Sequence, residues 1–274
     1  THIIRAKDHA DNAKRQQLIF NALDMDYPKA YFTGRYKFKG LELSCSKTKE
    51  KIEAGKFQGW DDIRLPFIGA LKRRGFQAES FLRYTEEIGL SNVDKVVEGE
   101  EFFKHLANIN REILDKDTSR FFFVKDPVKI KIENSPELNL KLKSHPDNPK
   151  KGFRQFATND TFYISKEDHK NLQDNQLYRL MDCFNFKKKG NKFVFVSESL
   201  EDYKKEGKAI IHWLPVDNVV ETEVLMPDKT LAKGFSEQLT NNLKEGDIVQ
   251  FERFGFCRLD KIDSDKLIFW FGHK

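Results

Sequence analysis

The chain has 274 residues, which is enough for two or three domains. Hydrophobic residues make up 39% of it and charged residues 33%, a balance typical of folded globular proteins rather than disordered chains. No apolar run approaches the length of a membrane span, and no secretory leader is recognisable, so we expect a cytoplasmic protein without a membrane partner. The net charge of +5 permits a polyanionic partner without requiring one.

The three cysteines, Cys45, Cys183 and Cys257, are far apart, and no CxxC pair or Cys/His cluster occurs. An odd number of scattered cysteines indicates neither a disulfide framework nor a zinc site. We therefore expect reduced thiols and no protein-bound metal.

The first segment, residues 1–57, is expected to be mixed α/β. A short strand is predicted from His2 to Arg5, a helix over 11–23, and an extended piece over 30–38. Strand, helix and strand in this order are typical of a nucleotide-binding sheet. Because the sequence begins inside the first of these strands, we expect only the last portion of such a sheet, with something missing upstream.

A short Ser/Lys stretch, LSCSK, follows the second extended piece and predicts a flexible loop. Lys47 can contact phosphate and stabilise charge that develops there. Ser44 and Ser46 can donate hydrogen bonds to the same group. A solvated polar turn is the alternative, because exposed lysines are common.

A helix is predicted after Trp60-Asp61-Asp62, with Pro66 in its first turn and Gly75 at its end. The tryptophan and the two acids are expected to be architectural, since acidic groups near a helix start favour the macrodipole. A catalytic role for Asp61 is the less favoured alternative. The run Lys72-Arg73-Arg74 ends the helix, where either dipole matching or contact with nucleic acid accounts for the charges.

Two further helices are predicted, over 78–88 and 98–114, the second because its apolar residues recur at spacings of three and four. Ser91 with Asp94 is expected to be a capping pair for another helix. The whole segment 58–118 is therefore expected to be helical.

Residues 119–274 change character, because short segments of alternating hydrophobicity recur between turn residues. Such a pattern predicts β-barrels, and about 155 residues suggest two of them. The chain holds 25 phenylalanines, of which Phe121–Phe123 and Phe251–Phe256 resemble a platform for stacked bases. Most are expected to fill barrel cores instead, so none is assigned to a base.

GWDDIRLPF, residues 59–67, and LKRRGF, residues 71–76, follow the Ser/Lys stretch in a fixed order. This order resembles the class I glutamyl-tRNA synthetases of the archaeal and eukaryotic type, which are relatives of glutaminyl-tRNA synthetase. Their signature is a KMSKS-like loop followed by GWDDPRLPT and LRRRG. Ile63 stands where that family usually has proline.

Three other segments carry the resemblance along nearly the whole chain. THIIRAKDH at the start is similar to the family pattern THVLRGKDH, and HPDNPKKGFR, residues 145–154, to HPNxPxxGxR. VQFERFGFCRLD, residues 249–260, is similar to the closing segment QFERxGYFCLD. LYRLMDCFNF and AIIHWLP match the family between these segments.

The resemblance implies a multidomain fold that combines α/β and all-β parts. Residues 1–57 would be the C-terminal part of a Rossmann-type catalytic domain, 58–118 a helical stem-contact domain, and 119–274 an anticodon-binding domain of two barrels. The barrel ranges would be 119–165 with 231–274 for the proximal barrel and 166–230 for the distal barrel.

The resemblance also implies the catalytic and substrate-binding residues. Lys47, Ser46 and Ser44 would form the KMSKS-like element that acts on ATP, which enters with Mg²⁺ as a substrate. Two alignments of Ser-Cys-Ser-Lys are possible, and one puts Cys45 where a lysine is expected.

Arg5 would bind the glutamate side chain, with His2 and His9 as further pocket residues. A guanidinium can fork onto a carboxylate, whereas glutamine offers only a neutral amide. A site built around a cation would reject the amide, because its charge would stay unpaired.

For the tRNA, the resemblance assigns the middle anticodon base to Arg154 and Gln250. Arg73 and Arg74 would contact the stem region, and Lys188, on a predicted turn, would contact anticodon phosphates, which position RNA without reading its sequence. A solvated turn is an equal alternative for the lysine.

The function implied is glutamate–tRNA ligase, with glutamate, ATP and tRNA(Glu) as substrates and tRNA(Gln) as a second candidate. None of the seven histidines lies in an H-x-G-H sequence, so the HIGH motif is absent. We therefore expect an N-terminal half, in the same longer chain or a separate subunit, without which this chain makes no adenylate. The alternatives are glutaminyl-tRNA synthetase and a non-catalytic tRNA-binding module.

Overall fold

The structure is a computed structural model that describes residues 1–264 and 266–274. It divides into two compact units, the first formed by Thr1–Lys56 and Gln77–Ile113, the second by Phe57–Phe76 and Leu114–Lys274. The segment 58–118, expected to be one helical domain, is therefore shared between the units.

The first unit opens with a strand, a helix and a second strand. Strand His2–Ala6 pairs in parallel with strand Lys29–Thr33, and helix Ala10–Ala22 connects them after a short 3₁₀ turn, Lys7–His9. The predicted strand and helix are confirmed. The predicted extended piece 30–38 consists of two strands, since a second strand, Tyr36–Lys39, begins after Gly34 and Arg35.

The Ser/Lys stretch is not a loop. Helix Cys45–Glu53 begins there, with Ser44 as its N-cap. The Ser44 hydroxyl accepts a hydrogen bond from the Lys47 backbone N–H at 3.4 Å, and the side chain of Thr48 is buried. A serine that binds the third backbone N–H of a helix stabilises its first turn, which explains why the loop prediction was wrong.

Helices Ala78–Ile88 and Gly99–Leu114 lie where the sequence predicts them. Strand Lys95–Glu98 lies between them and pairs in parallel with Tyr36–Lys39.

The predicted helix cap at Ser91 and Asp94 is wrong. The Asp94 carboxylate accepts the backbone N–H of Arg35 at 2.7 Å and pairs with Lys7 at 2.9 Å, so it stabilises the start of a strand pair instead. A local Ser-x-x-Asp pattern cannot reveal such a long-range partner.

The second unit contains helix Ile68–Arg73 and two seven-stranded sheets. The first sheet has the order Gly207–Ile211, Leu177–Leu180, Asn185–Lys189, Lys192–Ser197, Pro127–Glu133, Thr161–Ser165, Trp213–Pro215. The second sheet has the order Arg120–Phe121, Ile248–Phe251, Gly255–Asp263, Lys266–His273, Val219–Leu225, Leu231–Glu237, Phe123–Lys125.

The second sheet is nearly closed and barrel-like. Its two end strands are separated in the chain only by Phe122, so the sheet must curl until its ends meet. The first sheet has the same feature, since its two end strands, Gly207–Ile211 and Trp213–Pro215, are separated in the chain only by His212.

The remaining elements of this unit are short. Strands Asn139–Lys143 and Phe153–Ala157 form an antiparallel pair, referred to below as the hairpin, whose connection holds the 3₁₀ turn Pro149–Lys151. The others are helices Lys166–Asn171 and Leu200–Glu206 and the 3₁₀ helix Gln238–Asn242. None of the helices in the described part of the chain has the length and apolar character needed to cross a membrane.

The two sheets differ from the predicted barrel ranges. Pro127–Glu133 and Thr161–Ser165, predicted in the proximal barrel, belong to the first sheet with the predicted distal strands. Val219–Leu225, predicted in the distal barrel, belongs to the second sheet. Alternation identifies a strand, but it does not identify the partner with which that strand pairs.

Separate apolar clusters support the two sheets. The cluster of the first sheet includes Phe162, Phe184 and Trp213, and that of the second includes Phe251 and Phe269. Phe121, Phe122 and Phe123 are buried too, so the suggested stacking platform is interior packing. Of the phenylalanines in the described part of the chain, Phe153 alone is exposed.

Candidate nucleotide and nucleic-acid sites

The first turn of helix Cys45–Glu53 presents Ser44, Ser46 and Lys47 to solvent. In the described residues, no ion pair or hydrogen bond engages the Lys47 ammonium. Lys51 donates to Glu42 and holds the pKa of that carboxyl below its usual range, with a smaller effect from Lys47. An exposed cation beside the N–H groups of a helix start is suited to bind phosphate.

The strand His2–Ala6 separates two residues that the sequence placed in one pocket. Side chains alternate along a strand, so His2 and Arg5 project from opposite faces. Arg5 is half-buried, whereas His2 is exposed and stacks on Tyr31 with ring centroids 5.9 Å apart. His9 is exposed in the 3₁₀ turn that follows. Of the predicted pocket residues, Arg5 has the burial expected of a binding group.

Arg73 does not point to solvent as a free cation. It donates to both carboxylate oxygens of Asp260, at 2.6 and 2.7 Å, and to Asp61 at 2.8 Å. Its guanidinium also lies over the ring of Trp270, 3.9 Å from the centroid. This residue therefore attaches helix Ile68–Arg73 to the second sheet.

Arg74 has a similar structural role. It donates to the backbone oxygens of Phe271 at 3.1 Å and Gly272 at 2.7 Å, and burial lowers its pKa to about 10. Both arginines use donors within the second unit, so their tRNA contacts stay predictions that these bonds do not favour. The exposed member of the run is Lys72.

Arg154 lies in a buried ion-pair cluster and is 3% exposed. It donates to Glu237 at 2.6 Å and to Glu252 at 2.7 Å, and its guanidinium lies 4.7 Å from the centroid of the Phe122 ring. Burial raises the pKa of Glu237 to about 7, while the charge of Arg154 acts in the opposite direction. The cluster joins the HPDNPKKGFR segment to the closing segment.

Gln250 lies in strand Ile248–Phe251, two residues before Glu252. Its backbone N–H donates to the Ser119 oxygen at 3.0 Å, but its buried side-chain oxygen accepts no hydrogen bond from any described residue. The Nε atom of Arg154 is likewise buried without an acceptor. Both predicted base-reading residues thus keep one hydrogen-bonding group unused.

His212 is part of the same neighbourhood, although the sequence did not mark it. Its ring centroid lies 5.0 Å from that of Phe122, and its Nε2 atom is buried with no partner among the described residues. Burial lowers its pKa to about 3, assisted by the charges of Arg253 and Arg154. A lone histidine inside an apolar run gives no sequence signal of such surroundings.

Lys188 lies in strand Asn185–Lys189 and not on the predicted turn. Its ammonium donates to the backbone oxygen of Leu172 at 3.2 Å, and Lys187 pairs with Glu206 at 3.2 Å. Lys189 is the exposed lysine of this run. Lys188 is therefore a weak candidate for the predicted phosphate contact.

An open cleft of about 670 Å³ lies beside Arg154 and Glu237. The hairpin strand Phe153–Ala157 lines one side, and the 3₁₀ helix Gln238–Asn242 lines another. Its volume is in the range of ligand-binding pockets.

Comparisons with known proteins identify the family. Residues 1–116 match the catalytic domain of tRNA synthetases class I (E and Q), and residues 118–199 and 210–260 match two anticodon-binding domains of the same class. The chain belongs to the class I E and Q tRNA synthetases. Lys47 and Arg5 lie within the catalytic match of this synthetase family, and Arg154 and Gln250 lie within the two anticodon-binding matches.

Curated relatives of this synthetase family are similar along the whole chain. The glutamate–tRNA ligase of Methanosphaera stadtmanae is 37% identical over 278 residues, and that of Pyrococcus furiosus 40% over 283 residues. The glutamate–tRNA ligase of Methanocaldococcus jannaschii is 36% identical over 278 residues. Each match includes 100% of this chain but only 48 to 49% of the relative, so the chain spans about half their length.

Replacing Arg73 tests its structural role. Arg73→Ala removes both bonds to Asp260, which is 10% exposed and would lose its main cation. We expect the free energy of unfolding of the second unit to fall by about 2–4 kcal/mol, measured by urea denaturation. Lys72→Ala, at the neighbouring exposed residue, is the control and should change the free energy of unfolding by less than about 0.5 kcal/mol. Equal effects of the two substitutions would contradict the attachment.

His212 should make the protein acid-sensitive. Its folded-state pKa of about 3 lies below the ordinary value of 6.5, so the unfolded chain binds a proton first as the pH falls. Protonation of His212 therefore does not lower the free energy of unfolding above about pH 6.5. This free energy should decrease by about 3 kcal/mol between pH 7.5 and pH 4. Urea denaturation of wild type and His212→Gln between pH 7.5 and pH 4 measures the difference in their free energies of unfolding. His169→Gln is the control and should follow the wild type, and a pH-independent difference for His212→Gln would contradict the assignment.

Proposed function

We propose that this chain is the C-terminal part of a glutamate–tRNA ligase, which activates glutamate with ATP and transfers the glutamyl group to the terminal ribose of tRNA. The observation that supports this most is that one catalytic and two anticodon-binding matches follow each other along the chain. Similarity to three named glutamate–tRNA ligases over the full chain agrees with it.

The ATP-binding role is proposed for the turn Ser44–Lys47. Lys47 would stabilise the charge that develops on the α-phosphate as the adenylate forms, since a preorganised cation acts without reorganising. Ser46 would donate to a phosphate oxygen, while Ser44 caps the helix and fixes the turn. ATP enters as its magnesium complex and is a substrate.

The glutamate-binding role is proposed for Arg5. Its guanidinium is half-buried and has no carboxylate partner in the described residues, so it can bind the carboxylate of a ligand. His9 lies just after the same strand and would contribute to glutamate binding there. The side chain of His2 projects from the opposite face of the strand. An arginine here favours glutamate over glutamine, which makes glutaminyl-tRNA synthetase the less supported alternative.

An N-terminal half with the HIGH motif is the proposed partner, in the same chain or as a separate subunit. The parallel pair His2–Ala6 and Lys29–Thr33 is only two strands wide, and such sheets are normally wider and covered on both faces. Ile4 is 62% exposed, and large apolar side chains of the following helix, Leu18 and Ile19, are exposed as well. A complementary part of a nucleotide-binding fold would cover this apolar surface.

Binding of tRNA is proposed for the helical and sheet-rich parts, in the organisation 1–57 catalytic, 58–118 stem contact and 119–274 anticodon binding. Gln250 and Arg154 would read the middle anticodon base, through the unused amide oxygen of the first and a rearrangement around the second. Lys72 is a better candidate for stem contact than the two arginines that follow it. The tRNA(Glu) is the proposed partner, and tRNA(Gln) the second candidate.

Glutamate-dependent pyrophosphate exchange tests the proposal. The chain alone should give none, and joining it to a HIGH-containing half should restore the reaction. In the complete enzyme, Lys47→Ala should lower the exchange rate by about 10²- to 10³-fold, because one charge-stabilising group is lost. Lys49→Ala, which removes an exposed lysine two residues further along, is the control and should leave the rate unchanged. Exchange by this chain alone would refute the need for the missing half.

Substrate preference tests the role of Arg5. In the complete enzyme, Arg5→Ala should raise the KM for glutamate by about 10- to 100-fold, as expected from loss of a charged hydrogen-bonding pair. Steady-state aminoacylation at varied glutamate and glutamine concentrations measures it. Arg15→Ala, an exposed arginine on the following helix, should behave as wild type. An unchanged KM in Arg5→Ala would remove Arg5 from the pocket.

A further inference from the structure

Among the phenylalanines that the structure describes, Phe153 is the exposed one. It is 48% exposed at the start of the hairpin strand Phe153–Ala157. The Nζ atom of Lys141 lies 4.3 Å from the centroid of its ring, and Lys143 is its partner in the strand register. A ring and two ammonium groups are therefore presented together on the surface.

The pleat of the hairpin explains this arrangement. Leu140 and Leu142 on one strand and Phe156 on the other pack against the core of the first sheet. The alternate residues Lys141, Lys143 and Phe153 must then face outward. An exposed aromatic ring flanked by cations is the combination that single-stranded nucleic-acid sites use, with the ring under a base and the cations on the backbone.

The cleft beside Phe153 is lined with amides. Five amide side chains in its lining make no hydrogen bond to any described residue, namely Gln155, Asn218, Gln238, Asn241 and Asn242. Each amide can both donate and accept, as required for the edges of nucleobases. The cationic side chain in the lining is Arg154, which Glu237 and Glu252 already engage. The interior of the cleft therefore suits an uncharged base edge better than a phosphate.

We propose that Phe153 stacks an unpaired RNA base and directs its edge into this amide-lined cleft, while Lys141 and Lys143 bind the flanking phosphates. The proposal rests on the proposed tRNA-binding function and assigns a stacking residue within it. It adds a base-binding position to the roles of Arg154 and Gln250.

Binding of an RNA stem-loop with the anticodon-arm sequence of tRNA(Glu) to the full chain tests this, measured by fluorescence anisotropy at one salt concentration. Phe153→Leu keeps an apolar side chain but loses the ring, so affinity should fall by about 5- to 150-fold. Phe153→Trp keeps the stacking and should stay within about 2-fold of wild type. Leu231→Ala, at another strand position that is 46% exposed, is the control and should bind as wild type.

A fully paired duplex of the same stem distinguishes stacking from general attraction. Phe153→Leu should leave its affinity unchanged, because a duplex offers no free base. Wild-type affinity of Phe153→Leu for the stem-loop, or an equal loss for stem-loop and duplex, would overturn the stacking role and leave tRNA binding intact. Absence of stem-loop binding by the wild type would overturn both proposals.

Discussion

The sheet-rich part of this chain depends on the buried ion pairs that the Arg154 guanidinium makes with Glu237 and Glu252. From the hairpin it reaches Glu237, at the end of one strand of the second sheet, and Glu252, directly after another. It also covers Phe122, the residue at which that sheet closes. Removing such charges from water costs several kcal/mol per ion, so the pairing is favourable only if its geometry is fixed. This side chain thereby ties the hairpin to the second sheet beside the cleft.

Motifs that identify the family serve structure as much as chemistry. In GWDDIR, the buried carboxylate of Asp62 accepts from Arg64 and from the Gln58 backbone, and these bonds hold its pKa well below the usual range. In LKRRGF, both arginines attach their helix to the last strands of the second sheet. A match to a family motif therefore establishes membership, while the contacts decide whether a particular cation is free to bind RNA.

The sequence predicted the elements that depend on local pattern and missed those that depend on distant partners. Helices Ala78–Ile88 and Gly99–Leu114 follow from apolar spacing, and strand His2–Ala6 from its composition. The division of strands between two sheets could not be predicted, because strand pairing joins residues far apart in the chain. The surroundings of His212 and Glu237 were missed for the same reason. The family motifs singled out Arg154 and Gln250, but they did not predict that these side chains are buried wholly or in part.

The hairpin links the structural and the proposed binding roles through a single peptide unit. Adjacent residues of a strand face opposite sides, so Phe153 faces away from the buried side that holds Arg154, and it is exposed there. A base that drew Arg154 away from Glu252 would shift the strand that carries Phe153, and a base stacked on Phe153 would in turn restrain Arg154. If both residues contact RNA, their contributions to binding should not be independent, because neighbouring groups on one rigid element share their displacement. Recognition at this surface is then a property of the hairpin as a unit.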